Sequence, residues 1–132
     1  MVKNKMPAPL EGEEQAMLFS WAQMFAYRYP ELKLMFHIPN GGKRSKVEAA
    51  RFKKEGVKSG VPDIFLPVAR GKYHGLFIEL KRLEKGRVSS AQSDWIPALR
   101  EQRYAAEVCK GWVAASALIE KYLKGEYKNG EN

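Results

Sequence analysis

An α/β fold with a mixed central sheet between helices is what this chain predicts, and three features of the sequence predict it. The stretch from Val61 to Lys81 holds two apolar runs around a Gly-containing turn, the pattern of a β-hairpin. Apolar residues recur at helical spacing near both ends of the chain. Helical and extended stretches alternate in the order helix, strand, basic helix, strand, strand, helix, strand, helix. A length of 132 residues with 45% hydrophobic content suits a single domain with a real core.

Residues 1–10 carry lysines with Pro7 and Pro9 and read as a flexible tail. From Glu11, the residues Ala16, Leu18, Phe19, Ala22, Phe25 and Ala26 mark one helical face up to Tyr29-Pro30. Glu11 and Glu14 lie three apart on the side of Leu18, near that inward face. Acids in a first turn equally favour the helix dipole. Leu34 to Ile38 reads as a first strand, closed by Pro39-Asn40-Gly41-Gly42. Glycines followed by Lys43, Arg44 and Lys46 can present backbone N–H groups and cations to a phosphate, or form an ordinary turn with solvated lysines. His37 could face a site, although a lone histidine at a strand end is more often structural. Residues 46–55 form a basic helix with Val47, Ala50 and Phe52 inward and Lys46, Arg51, Lys53 and Lys54 outward. Gly56 caps it, and Gly60 lets the chain turn into the hairpin.

The hairpin turns near Gly71 and Lys72, so Asp63 falls opposite Glu79 or Leu80. Alternation puts Glu79 and Lys81 on one face and Ile78 and Leu80 on the other. Beyond it, Arg82, Lys85 and Arg87 make a second basic loop around Gly86. Ser89-Ser90 starts a helix with Gln92 and Asp94 near its first turn and Trp95 and Leu99 inward. Tyr104 to Cys109 is a further strand. Ala114, Ala115, Leu118, Ile119, Tyr122 and Leu123 then form a closing amphipathic helix. Trp95 and Trp112 are expected in the core. Residues 125–132 read as a frayed tail, which leaves 11–124 as one domain.

A net charge of +8 points to a polyanionic partner, most simply nucleic acid. The single cysteine, Cys109, excludes an internal disulfide, argues against a cysteine-based zinc site and fits a reducing cytoplasm. The apolar runs are too short to span a bilayer, and Met1 to Leu10 lacks the apolar core of a signal peptide. At the hairpin, two carboxylates and an ammonium converge. Carboxylates brought close repel unless one takes up a proton or a cation sits between them. Hard oxygen ligands suit Mg²⁺ or Mn²⁺, and Lys81 could then orient a water or stabilise charge on a phosphate. An isolated Glu-x-Lys is more often a solvated ion pair, and the Pro-Asp at hairpin spacing shifts that balance.

Pro62-Asp63 followed by Glu79-Leu80-Lys81 resembles the PD-(D/E)xK nuclease signature, and the surrounding sequence resembles its virus-type replication-repair nuclease branch, the VRR-NUC domain. The resemblance runs from about Glu11 to Leu123. It takes in Asn40-Gly41-Gly42, Gly60-Val61-Pro62-Asp63, Gly75 to Lys81, and Ser90 with Gln92. It implies a restriction-endonuclease-like core and a metal-dependent DNA endonuclease. Asp63, Glu79 and the backbone carbonyl of Leu80 would bind one or two Mg²⁺ or Mn²⁺ ions, and Lys81 would position water or neutralise the transition state. A helix-1 glutamate would help; the resemblance aligns best on Glu11, with Glu14 open. Gln92 would support the site, where otherwise it reads as a solvated helix residue. Gly42, Lys43, Arg44, Lys46, Lys53, Lys54, Arg82, Lys85 and Arg87 would contact DNA.

Small members of this branch resemble viral junction-resolving enzymes, which implies branched duplex such as a four-way (Holliday) junction, a homodimer, and a bacterial or virus-infected host cytoplasm. Flap or 5′-end cleavage by a single subunit, a DNA-binding module of the same fold without catalysis, and action on RNA are the alternatives.

Overall fold

The computed structural model describes residues 10–39, 45–84 and 87–131. Helix α1 (Glu11–Phe25) leads into a 3₁₀ turn (Pro30–Leu34), β1 (Phe36–His37), α2 (Lys46–Lys54), β2 (Ile64–Leu66), β3 (Leu76–Lys81), α3 (Ser90–Glu101), β4 (Ala105–Lys110) and α4 (Trp112–Leu123). The sheet order is β1-β2-β3-β4. The first two pairings are antiparallel and β3 with β4 is parallel, reached by the α3 crossover. The expected mixed sheet flanked by helices is the fold observed.

The two sheet faces differ in chemistry. Ile64, Leu66, Leu76, Ile78 and Leu80 share one face, and all are almost wholly buried. They join one core with Leu18, Trp21 and Ala22 of α1 and Ala115, Leu118, Ile119 and Tyr122 of α4. Alternation sends Phe65, Phe77, Glu79 and Lys81 to the other side. Cys109 lies in the core on β4, where burial pushes its thiol up to about 12.

Several boundaries depart from expectation. Leu34 belongs to the 3₁₀ turn and is exposed, and the strand shrinks to Phe36–His37. Pro30 at the first position of a helical turn favours that outcome, with Leu32 and Met35, three apart, turned inward. On α2, Val47 is 79% exposed and Ala50 is also exposed, so neither packs inward as expected. This helix is instead held by its termini: Ser45 and Glu48 form a capping box, and Gly56 at φ +97° follows the last turn. Trp95 is half-buried outside the core cluster and donates its indole N–H to the Ser59 carbonyl. Trp112 packs partly buried against the core. The chain beyond Gly125 is not frayed through Glu131, because Tyr127 is 4% exposed and Asn129 is hydrogen-bonded to Tyr104 and Ala106. The expected tail over residues 1–9 lies outside the described residues. Among the described residues, no helix is long and apolar enough to cross a membrane.

Candidate active site

Pro62 is fully buried and restricts the backbone immediately before Asp63. The β2–β3 ladder pairs Ile64 with Ile78, and one more step of that register faces Asp63 with Glu79. The Asp63 carboxylate turns across the hairpin and Oδ1 accepts the Leu80 N–H at 2.9 Å. Its own carbonyl is clamped by the Ile38 N–H at 2.7 Å and by His37 Nδ1 at 2.8 Å. A carbonyl only accepts, so the His37 proton sits on Nδ1. Asp63 is therefore fixed from both sides, its backbone by His37 and Ile38 and its carboxylate by the Leu80 N–H of β3.

Glu79 is 3% exposed, and Oε2 is shared by Lys81 Nζ at 3.3 Å and Gln92 Nε2 at 2.8 Å. The other end of the Gln92 amide, Oε1, accepts the Ser89 N–H at 2.9 Å and closes the capping box of α3. One side chain thus starts the helix and holds the carboxylate. Glu79 Oε1 is buried and has no hydrogen-bond partner among the described residues. Burial, and after it the nearby Asp63 charge, pushes the Glu79 carboxyl up to about 7, with Lys81 opposing. Burial also raises Asp63, offset in part by the Leu80 N–H.

The two helix-1 glutamates part ways. Carboxylate oxygens of Glu11, Asp63 and Glu79 all lie within 4.8 Å of one another. Glu14, one turn on, is 1% exposed and accepts the Trp112 N–H at 2.9 Å, so it fastens α1 to the start of α4. A cleft of about 430 Å³ opens over the cluster, lined by Glu11, Gln15, His37, Asp63, Glu79 and Gln92 among others. Gln15 carried no signal in the sequence beyond its place after Glu11, because a glutamine on a helix reads as solvated.

Three crowded carboxylates, exposed at Glu11, half-buried at Asp63 and buried at Glu79 with one unpartnered oxygen, suit a hard divalent cation. Without one, the only relief is protonation, which is the direction in which Asp63 and Glu79 are pushed. The donor set therefore fits a metal of the Mg²⁺ or Mn²⁺ type. Leu80 meets the cluster through its N–H, which Asp63 Oδ1 accepts.

Of the expected phosphate-contacting residues, Lys46, Lys53 and Lys54 are exposed along α2, and Arg87 is exposed before α3. Arg82 directly follows β3 and is half-buried, with Nε lacking a partner among the described residues. Gly42, Lys43, Arg44 and Lys85 lie outside the described residues.

A family model described as the VRR-NUC domain matches residues 13–112. A solved structure described as a VRR_NUC domain protein is 33% identical, with the match covering 90% of this chain and 92% of that one, at a TM-score of 0.78. No curated protein matches. Asp63, Glu79, Lys81 and Gln92 fall inside the matched span, on a fold shared with a solved relative, and this chain belongs to the VRR-NUC family of nuclease-type domains.

Proposed function

We propose that the protein is a metal-dependent endonuclease that hydrolyses phosphodiester bonds in DNA, selective for branched duplex such as a four-way junction. The observation that carries this reading is the gathering of Glu11, Asp63 and Glu79 carboxylates within 4.8 Å, with the Lys81 amine beside Glu79. Asp63, Glu79 and the Leu80 carbonyl, with Glu11, would hold one or two Mg²⁺ or Mn²⁺ ions. When bound, such an ion polarises the scissile phosphate and lowers the pKa of the attacking water. Lys81 holds a positive charge where the transition state gathers negative charge and orients the water. Gln92 keeps Glu79 turned toward the cluster. Lys46, Lys53, Lys54, Arg82 and Arg87, with Gly42, Lys43, Arg44 and Lys85, would hold phosphates on either side, so affinity falls steeply with salt. The nuclease domain, expected over residues 11–124, would also take in the docked segment through Glu131.

Cutting a symmetric junction on both sides calls for two sites, and a homodimer supplies them. Sedimentation of the protein with junction DNA tests this: a monomer in the complex removes the paired-cut scheme and leaves flap or 5′-end cleavage by one subunit.

The central test is a cleavage assay on linear duplex, flap and four-way junction DNA, with and without Mg²⁺ or Mn²⁺. RNA forms of the same branched substrate belong beside it. Asp63→Ala and Lys81→Ala are expected to bind the junction with near-native affinity and to cut at least about a hundredfold more slowly. Cutting at the native rate by Asp63→Ala, or unaltered cutting in chelator, overturns the assignment.

A further inference from the structure

The sheet face that carries Asp63, Glu79 and Lys81 continues away from them as a row of aromatic rings. Phe36 pairs with Phe65 across β1 and β2, and Phe65 pairs with Phe77 across β2 and β3. Their rings touch in sequence: Phe36 stands edge-on to Phe65 at 5.9 Å, and Phe65 stacks on Phe77 at 4.2 Å. Tyr104, before β4, is edge-on to Phe77 at 5.3 Å and to Phe65 at 6.1 Å. The opposite face is filled by the core, and α3 lies along β4. At the open end of the row, Phe36 is left 47% exposed. The shelf is rigid beneath, because the Phe65 ring covers Gly75 so closely that a Cβ there would stand 2.9 Å from it.

We propose that this row is a stacking shelf for a nucleobase left unpaired, or at the end of a helical arm, by a branch in the DNA. The proposal rests on the nuclease reading and deepens it by saying what recognises the branch. Phe65 stands two residues from Asp63 and Phe77 two residues from Glu79 on the same face. Two strand residues span about 7 Å, or two nucleotide steps of about 3.4 Å, so the stacked base belongs within one or two nucleotides of the phosphate at the carboxylates. Every base has a π-face, so such a shelf is indifferent to sequence. It nevertheless distinguishes a branch from continuous duplex, whose bases are already stacked. The chain's net charge of +8 supplies the attraction for the polyanionic backbone that the rings lack. A second copy of the chain is the other apolar occupant for this face. Seated on Phe65 and Phe77, it would lie against the carboxylate cleft and obstruct the substrate.

The test uses the full chain in chelator, where nothing is cut. A forked duplex carries 2-aminopurine as the first unpaired nucleotide, and a continuous duplex carries it internally. Stacking is expected to quench the fork's fluorescence at saturation and to leave the duplex unchanged. Phe36→Leu should weaken fork binding about tenfold without altering duplex binding, and Phe36→Trp should restore it. An unquenched fork, an equal loss on both DNAs, or a change in sedimentation coefficient on Phe36→Leu overturns the shelf; the last result makes the face a self-interface. Loss of the shelf with cutting intact leaves the nuclease reading standing. Quenching without cutting in metal removes that reading and keeps the shelf.

Discussion

Glu79 concentrates the electrostatic cost of the site in one side chain. Its carboxyl binds a proton more tightly in the folded chain, near pH 7, than at its ordinary value of 4.5. The metal-free protein therefore keeps this contribution fully below about pH 4.5 and loses it as pH rises through about 7. The loss is expected to be about 3 kcal/mol for a buried group shifted this far. Urea denaturation in chelator from pH 4 to pH 8 (about, in half-unit steps) measures it, with Glu79→Gln as the control that flattens the slope. Equal slopes in the two proteins would place the pH dependence elsewhere. Mg²⁺ or Mn²⁺ should recover stability at the upper end of that range, since a ligand of the folded state stabilises it.

At the scale of the elements, caps do more than end helices. Gln92 closes the α3 capping box with Oε1 and steadies Glu79 with Nε2, a pairing that needs both halves of an amide. Gln92→Glu preserves the acceptor for Ser89 but sets a second carboxylate against Glu79. Thermal stability should shift by no more than about 1 kcal/mol in acid, where the new group is protonated, while divalent affinity or cutting near neutral pH changes at least about tenfold. A variant that matches native on both counts would reduce Gln92 to a cap. Gly60 shows the same coupling from the loop side. At φ +88° its missing Cβ leaves room for the Ala91 backbone, 2.6 Å from where that atom would stand. Gly60→Ala is expected to cost about 1–3 kcal/mol, read by thermal denaturation. It should also disturb the site, because the segment leads directly into Asp63 and presses on the first turn of α3.

For the molecule as a whole, the C-terminal strap closes the fold. Tyr127 donates to Glu107 Oε2, as does the Gly130 N–H, and Arg100 pairs with the other oxygen. Asn129 accepts the Ala106 N–H and donates to the Tyr104 carbonyl, acting as a short substitute strand on the outer edge of β4. An edge satisfied by side chains is closed to pairing with another chain. Tyr127→Phe should cost about 1–3 kcal/mol by stripping a partner from a buried carboxylate. Removing everything after Lys124 should cost more, because the Tyr127 ring goes too. A truncated chain that melts with the full one would return residues 125–131 to the status of a tail.

The sequence by itself determined the order of elements, brought Asp63 opposite Glu79 or Leu80 across the hairpin, and marked the start of α3 at Ser89-Ser90 with Gln92 in its first turn. These depend on neighbours within a few residues or across one tight turn, where period, turn chemistry and cap residues act directly. It also carried the family, through a local acid–acid–lysine pattern. Tertiary structure alone decided between Glu11 and Glu14. Both occupy the same helical side, and only the position of Trp112, far along the chain, takes Glu14 into a structural bond and leaves Glu11 with the cluster. It likewise left α2 without a buried face, turned Leu34 out of the sheet and docked the chain's end through Tyr127. Trp112 and Tyr127 act from far along the chain, and even where a local residue contributes, as Pro30 does at Leu34, burial is a property of the packed assembly rather than of any stretch within it.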